Sequence, residues 1–168
     1  MKALRHSKIC GDFGEALILY WLSKNGNECV PVDHIGIDII DRNRITKELM
    51  GISVKSRTRI EGQEFDTVDI LSSDLENTEK ACKDFNCVPY FAIVVDSEDP
   101  GIIRVFIISR EKLLELYPTD KNAYWKMNPA AFDRYKSEKI ISFELKVTTN
   151  FWWPSTELPA NSALSNSA

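Results

Sequence analysis

Hydrophobic and polar positions change their period several times along the chain. From Ser7 to Lys24 apolar residues recur at helical spacing, with Ile9, Phe13, Ala16, Leu17 and Tyr20 on one face and Ile18, Leu19 and Leu22 over much of the opposite side. This pattern predicts a helix buried on more than one side, ended by Gly26. Three extended segments follow, Glu28 to Val32, Gly36 to Arg42 and Leu49 to Ile60, and the polar stretch Asp41 to Lys47 makes the second and third a hairpin.

Ser73-x-x-Glu76 has the form of a capping box and opens a second helix, with Leu75, Thr78, Cys82 and Phe85 as its inner stripe. Pro89 to Val95 is a continuous apolar run, the pattern of a strand buried on both faces. The helix before it makes it parallel to an earlier strand. Asp99-Pro100-Gly101 reads as a turn, Ile102 to Ile108 as a strand, and Arg110 to Tyr117 as a short helix stopped by Pro118. Ala123 to Tyr135 reads as helical around Pro129, and Lys139 to Val147 alternates as a strand. The order is that of an α/β protein with a mixed sheet between helices and no internal repeat.

The chain has 168 residues and 19.2 kDa. One domain over residues 1–150 accounts for it, followed by a tail over 151–168. In that tail Phe151-Trp152-Trp153 is expected to pack as a lid over the core, with base stacking or an oligomer contact as rival roles. The Ser- and Asn-rich stretch Asn161 to Ala168 is expected to be disordered. Hydrophobic residues at 43% and charged residues at 27% exclude a disordered, collagen-like or coiled-coil chain. No run reaches the roughly 18 apolar residues of a membrane span, and Met1 to Ser7 lacks the apolar region of a signal peptide, so a soluble, cytoplasmic protein with no membrane partner is expected.

The net charge of −4 argues against a protein that coats nucleic acid with its whole surface. By segment the sum changes meaning. Residues 42 to 60 carry Arg42, Arg44, Lys47, Lys55, Arg57 and Arg59 against Glu48 alone, whereas residues 61 to 99 carry eleven acids against Lys80 and Lys83. A basic element of +5 beside a stretch of −9 fits one anionic ligand at one site. The four cysteines, Cys10, Cys29, Cys82 and Cys87, form no C-x-x-C pair and read as reduced, mostly buried thiols. With only His6 and His34, His-based catalysis has little material. The absence of G-x-x-x-x-G-K-[ST] excludes a phosphate-cradling NTPase, so no nucleotide cofactor is expected.

The chemistry lies in polar residues at apolar places. Glu15 shares a helical sector with Ile18, Leu19 and Leu22, and a buried acid needs a partner, a proton or a metal. Alternatively, Asp12-x-x-Glu15 is a capping box, if the helix starts at Phe13. Asp38 stands among β-branched residues in Gly36-Ile37-Asp38-Ile39-Ile40, where a strand disfavours Asp, so it is either a turn acid or a site. Alternation puts Ser53, Lys55, Arg57 and Arg59 on one face of the third strand and Ile52, Val54, Ser56 and Thr58 on the other. If Asp38 and Ser53 are close across the hairpin, a carboxylate, a hydroxyl and an ammonium converge beside the helix that carries Glu15. Two acids and a lysine suit metal-assisted phosphodiester hydrolysis, with Arg57 and Arg59, and Arg42 and Arg44, holding neighbouring phosphates. A Ser53/Lys55 nucleophilic dyad fits less well, because residues two apart project in parallel roughly 7 Å apart and the second Gly of a nucleophile elbow is missing.

The blocks Gly11-Asp12-Phe13-Gly14-Glu15, Gly36-Ile37-Asp38 and Gly51-Ile52-Ser53-Val54-Lys55-Ser56 resemble those of the PD-(D/E)XK nuclease superfamily, in the style of its Holliday junction resolvase and Mrr-like restriction endonuclease branches. The resemblance implies a restriction endonuclease-like α-β-β-β-α-β core and cleavage of DNA, duplex or branched, in repair, recombination or restriction. It implies Mg²⁺ or Mn²⁺ held by Glu15, Asp38 and the main-chain carbonyl of Val54, with Lys55 as the catalytic lysine. It also implies a homodimer, for which the sequence offers no surface beyond the aromatic cluster. Ser53 stands where the superfamily carries Glu, Asp or Gln. A hydroxyl can ligate a metal or hold its water but brings no charge, so a nuclease-like fold that binds nucleic acid or a protein without cutting is the alternative.

Overall fold

The computed structural model describes residues 4–98 and 101–148. Phe151 to Trp153, the stretch from Asn161 and two residues of the Asp99-Pro100-Gly101 turn lie outside them. The elements are α1 (Leu4–Lys24), β1 (Glu28–His34), β2 (Ile37–Arg42), β3 (Leu49–Arg59), β4 (Val68–Ile70), α2 (Ser72–Asp84), β5 (Val88–Ser97), β6 (Ile102–Ser109), α3 (Arg110–Leu116), β7 (Ala123–Trp125), α4 (Pro129–Ser137) and β8 (Ile141–Lys146). The expected core order is present, with β4 inserted before α2. One six-stranded sheet runs β1-β2-β3-β5-β6-β8, and β4 and β7 form a separate ribbon. β3 and β5 pair in parallel over ten residues, as a helical crossover requires, and the other neighbours are antiparallel.

Helix α1 covers one face of the sheet, where Ile18 and Leu22 pack with Ile39, Met50, Ile52, Val94 and Val105. Helices α2, α3 and α4 and the ribbon cover the other, around Phe91, Ile93, Phe106, Trp125 and Tyr135. The result is a three-layer α/β domain with a mixed central sheet. β5 is buried on both faces, which explains its unbroken apolar run.

Three local expectations are corrected. α1 starts at Leu4 and buries a narrow stripe, Gly14, Ile18 and Leu22, so Ile9, Phe13 and Tyr20 of the expected inner face are exposed. α2 starts at Ser72 rather than after Ser73, and its first-turn acid is Asp74, whose carboxylate accepts the Leu71 N–H at 3.0 Å. Its buried residues are Leu75, Thr78, Ala81 and Cys82, with Phe85 exposed. Ala123 to Tyr135 is not one helix. Ala123–Trp125 pairs with β4, and α4 begins at Pro129 behind Asn128, whose side chain accepts the Ala131 N–H.

Glycines set how closely the layers approach. A Cβ on Gly14 would lie 2.7 Å from the Ser56 hydroxyl oxygen, so α1 sits directly on β3 one residue before Glu15. Gly36 has φ of +103°, and a Cβ there would run into the backbone of Asn77 in α2. Thr78 ties the same turn by donating from its hydroxyl to the Gly36 carbonyl at 2.8 Å. The two glycines therefore fix the elements that carry Glu15 and Asp38.

Candidate active site

The β2–β3 ladder is registered from Arg42↔Leu49 to Ile39↔Ile52. The next alternate pair would give the Val54 N–H a backbone acceptor in β2. Instead, the Asp38 carboxylate accepts it at 2.6 Å. Because a strand N–H points within the sheet, this carboxylate lies in the sheet plane, in the gap where the two strands part. β2 is bent there: the β1–β2 register shifts between Pro31 and His34. As a result Ile37 packs towards α2 with Ala81 and Cys82, while Ile39 packs towards α1. The simple alternation that would put Ile37 and Ile39 on one face is broken at Asp38. Asp38 is a strand residue, not a turn acid.

Glu15 approaches the gap from the α1 side. Since α1 begins eleven residues earlier, Asp12 is a mid-helix residue, ion-paired to Lys8 at 3.0 Å, and the capping-box reading is excluded. Burial, then the charges of Asp38 and Asp12, push the Glu15 carboxyl above its ordinary value. Asp38 is also pushed up, chiefly by burial, against the Val54 hydrogen bond and Lys55, which favour its anion; Asp74 adds to the rise. Two carboxylates that repel each other in a partly desolvated place favour a cation or a shared proton.

Lys55 reaches the same gap from the α2 side, and alternation puts Ser53 on that face of β3. Lys55 is ion-paired to Asp74 at 2.9 Å, both side chains being largely covered. Asp74 thus spans Lys55 and the α2 N-terminus, a role the sequence reading missed. The signal was an acid three residues after Leu71, obscured by the more familiar Ser73/Glu76 pattern. Ser53 is 3% exposed, next to Phe91 on the parallel neighbour. Glu15 and Lys55 therefore sit on opposite faces of β3 and come together only at Asp38.

The arginines separate. Arg57 is exposed, with its guanidinium donating to the Ser56 carbonyl at 2.8 Å. Arg59 donates to the Thr67 carbonyl at 2.7 Å and holds the loop that leads to β4. Arg42 and Arg44 belong to the hairpin end, and the four-residue step along β2 from Asp38 to Arg42 puts Arg42 about 13 Å from the gap.

Among the described residues no three His, Cys, Asp or Glu side chains gather as a metal cage. The donors on hand are two carboxylates and the Val54 carbonyl, which points to the same side of β3 as the Val54 N–H. That set suits a hard divalent cation that keeps several waters, as Mg²⁺ does, better than a cation needing a full protein cage. All four cysteines are free, and burial pushes the Cys82 thiol up to about 12. Only Cys82 is fully buried. No helix among the described residues is long and apolar enough to cross a membrane.

No protein-family model and no curated protein matches the chain. Among solved structures it is similar to Hjc, a Holliday junction resolvase from the archaeal hyperthermophile Archaeoglobus fulgidus. That similarity covers 71% of this chain and 91% of the other, with 16% sequence identity and a TM-score of 0.49.

Proposed function

We propose that the protein is a metal-dependent nuclease that hydrolyses phosphodiester bonds of DNA at the gap between β2 and β3. The observation that carries this reading is the Asp38 carboxylate held in the sheet plane by the Val54 N–H, with Glu15 on one side and Lys55 on the other. Asp38, Glu15 and the Val54 carbonyl would hold Mg²⁺ or Mn²⁺, and Ser53 would hold a water at its edge. When bound, such a cation polarises the phosphoryl oxygen and lowers the pKa of the attacking water. The Val54 hydrogen bond leaves the other Asp38 oxygen to serve as ligand and fixes its direction. Lys55, steadied by Asp74, places a positive charge where charge develops on the phosphoryl group. Arg57 lies on the strand beyond and contacts the adjoining backbone.

Ser53, which brings no charge where the resembling superfamily carries Glu, Asp or Gln, favours one rival, a nuclease-like protein that binds DNA without cutting. Calorimetry with Mn²⁺ and Mg²⁺, together with incubation with duplex, single-stranded and branched DNA, separates the two. The nuclease binds the cation and cuts at least one form. DNA binding with neither cation binding nor cutting selects the rival.

A further inference from the structure

A second polar cleft opens beside the gap, on the α1 face of β3. Alternation carries Val54, Ser56 and Thr58 along that face, and Gly14 and Cys10 of α1 close over Ser56, with the Cys10 thiol donating to the Ser56 hydroxyl at 3.5 Å. Beyond this contact helix and strand part, leaving a cleft of ≈ 290 Å³ lined by His6, Ser7, Cys10, Ser56, Arg57 and Thr58. At about 30 Å³ per water this is room for about ten water molecules, enough for a phosphate and part of its hydration.

The lining is chemically one-sided. Its lining residues, Arg57, His6, Ser7, Ser56, Thr58 and Cys10, include a basic residue and no acidic one, in a protein of net charge −4, and Arg57, which alternates to the other face of β3, folds its guanidinium back to the Ser56 carbonyl. The nearest acid along α1 past Cys10, Asp12, is already paired to Lys8. Donors from two different elements converge on one volume, and that favours a tetrahedral oxyanion.

We infer that this cleft is a phosphate subsite for the backbone of a bound nucleic-acid strand. The inference rests on the nuclease reading only for its orientation, namely that the strand runs on to Asp38. Cys10 and His6 precede Glu15 on α1 by about 7 and 13 Å of helix axis. At a rise of about 3.4 Å per nucleotide, the phosphate held here lies two to four nucleotides from the carboxylates. His6, Ser7, Ser56 and Thr58 thereby join Arg57 as positioning residues for the strand.

The test is DNA binding by the full-length protein in EDTA, read by fluorescence anisotropy of a labelled duplex over a salt series. His6→Ala/Arg57→Ala should lower affinity about tenfold or more and reduce the slope of log K against log salt by about 1. Lys80→Ala, which removes a positive charge from the α2 side, should change both less. Wild-type affinity and slope in the double variant, with its circular dichroism unchanged, overturns the subsite. Nitrogen-15 spectra separate the two phosphate sources: shifts at His6 and Arg57 on adding the duplex support the inference, and shifts with inorganic phosphate but none with the duplex overturn it. Adding Mg²⁺ afterwards keeps the two readings apart. A wild type that binds with the full slope but never cuts removes the nuclease and leaves the subsite, whereas a double variant that binds and cuts normally does the reverse.

Discussion

The Asp38 carboxylate accepts the Val54 N–H at 2.6 Å, in the place where a strand partner would have put a backbone carbonyl. One side chain thereby ends the β2–β3 ladder and leaves a charged oxygen in the gap. The arrangement separates two roles of Asp38, one structural and one chemical. Asp38→Asn can still accept from Val54 but loses the charge, so it should fold with a melting temperature at or above that of the wild type while its Mn²⁺ affinity falls at least tenfold. Calorimetry on the two proteins reads this directly. Equal affinity would remove Asp38 from the cation site.

The raised carboxyls of Glu15 and Asp38 give the site a second readout. A cation that relieves their repulsion stabilises the native state by mass action, so about 100 times its dissociation constant adds about 2.7 kcal/mol. Thermal denaturation should therefore shift upward with Mg²⁺ or Mn²⁺ in the wild type and far less in Glu15→Gln. An identical shift in both would place the cation elsewhere.

Gly36 and Gly14 were visible in the sequence, but their reasons were not. Gly36→Ala meets both a positive φ and the Asn77 backbone and should destabilise by about 2–4 kcal/mol. Gly14→Ala presses on the Ser56 side chain, which can yield in part, and should cost about 1–3 kcal/mol. Urea unfolding of the two variants checks the order. A harmless Gly36→Ala would mean that α2 does not dock on this turn.

Asp74 predicts a split between stability and chemistry. Asp74→Ala removes the acceptor of the Leu71 N–H and the Lys55 partner, and loss of such a cap costs about 0.5–2 kcal/mol. Lys55 then loses its anchor, so turnover should fall about tenfold or more while cation affinity stays within about twofold of the wild type. A variant with reduced stability and unchanged turnover assigns Asp74 to the helix end alone.

Asp41 is fully buried opposite Met50, with one oxygen accepting from Asn27 at 2.7 Å and the other without a partner among the described residues. Burial raises its carboxyl from 3.8 to about 6. The native state therefore holds this proton more tightly than the unfolded chain does. Its contribution to stability is full below about pH 4 and is lost as pH rises through about 6, by at most about 3 kcal/mol. Asp41→Asn should be more stable than the wild type at pH 8 and lose that advantage towards pH 4.5. Parallel stability curves for the two proteins would contradict this.

The six strands of the main sheet, their order along the chain and a parallel pairing of β5 with an earlier strand were legible because apolar runs and turn residues are local signals. α1 misled because its exposed face also carries Ile9, Phe13 and Tyr20, so periodicity pointed to burial that tertiary packing does not provide. The proposed site residues Glu15, Asp38 and Lys55 stood out as polar exceptions in apolar or β-branched surroundings. Two further features depend on contacts between distant segments: Asp74, 19 residues from Lys55, and the break in alternation at Asp38. The short ribbon of β4 and β7 was missed for the same reason, since Val68–Ile70 is a three-residue strand paired to a segment more than fifty residues away.

Whether the gap around Asp38 cuts phosphodiester bonds with a divalent cation is decided by single-turnover cleavage of labelled DNA in Mg²⁺ by wild type, Asp38→Asn and Lys55→Ala. The wild type should cut, only with the cation present, and each variant should be slower by a factor of about 100 or more, in line with the roughly 2.7 kcal/mol or more assigned to one lost charge-stabilising group. Wild-type rates in both folded variants, or no cutting of duplex, single-stranded or branched DNA by the wild type, would contradict it.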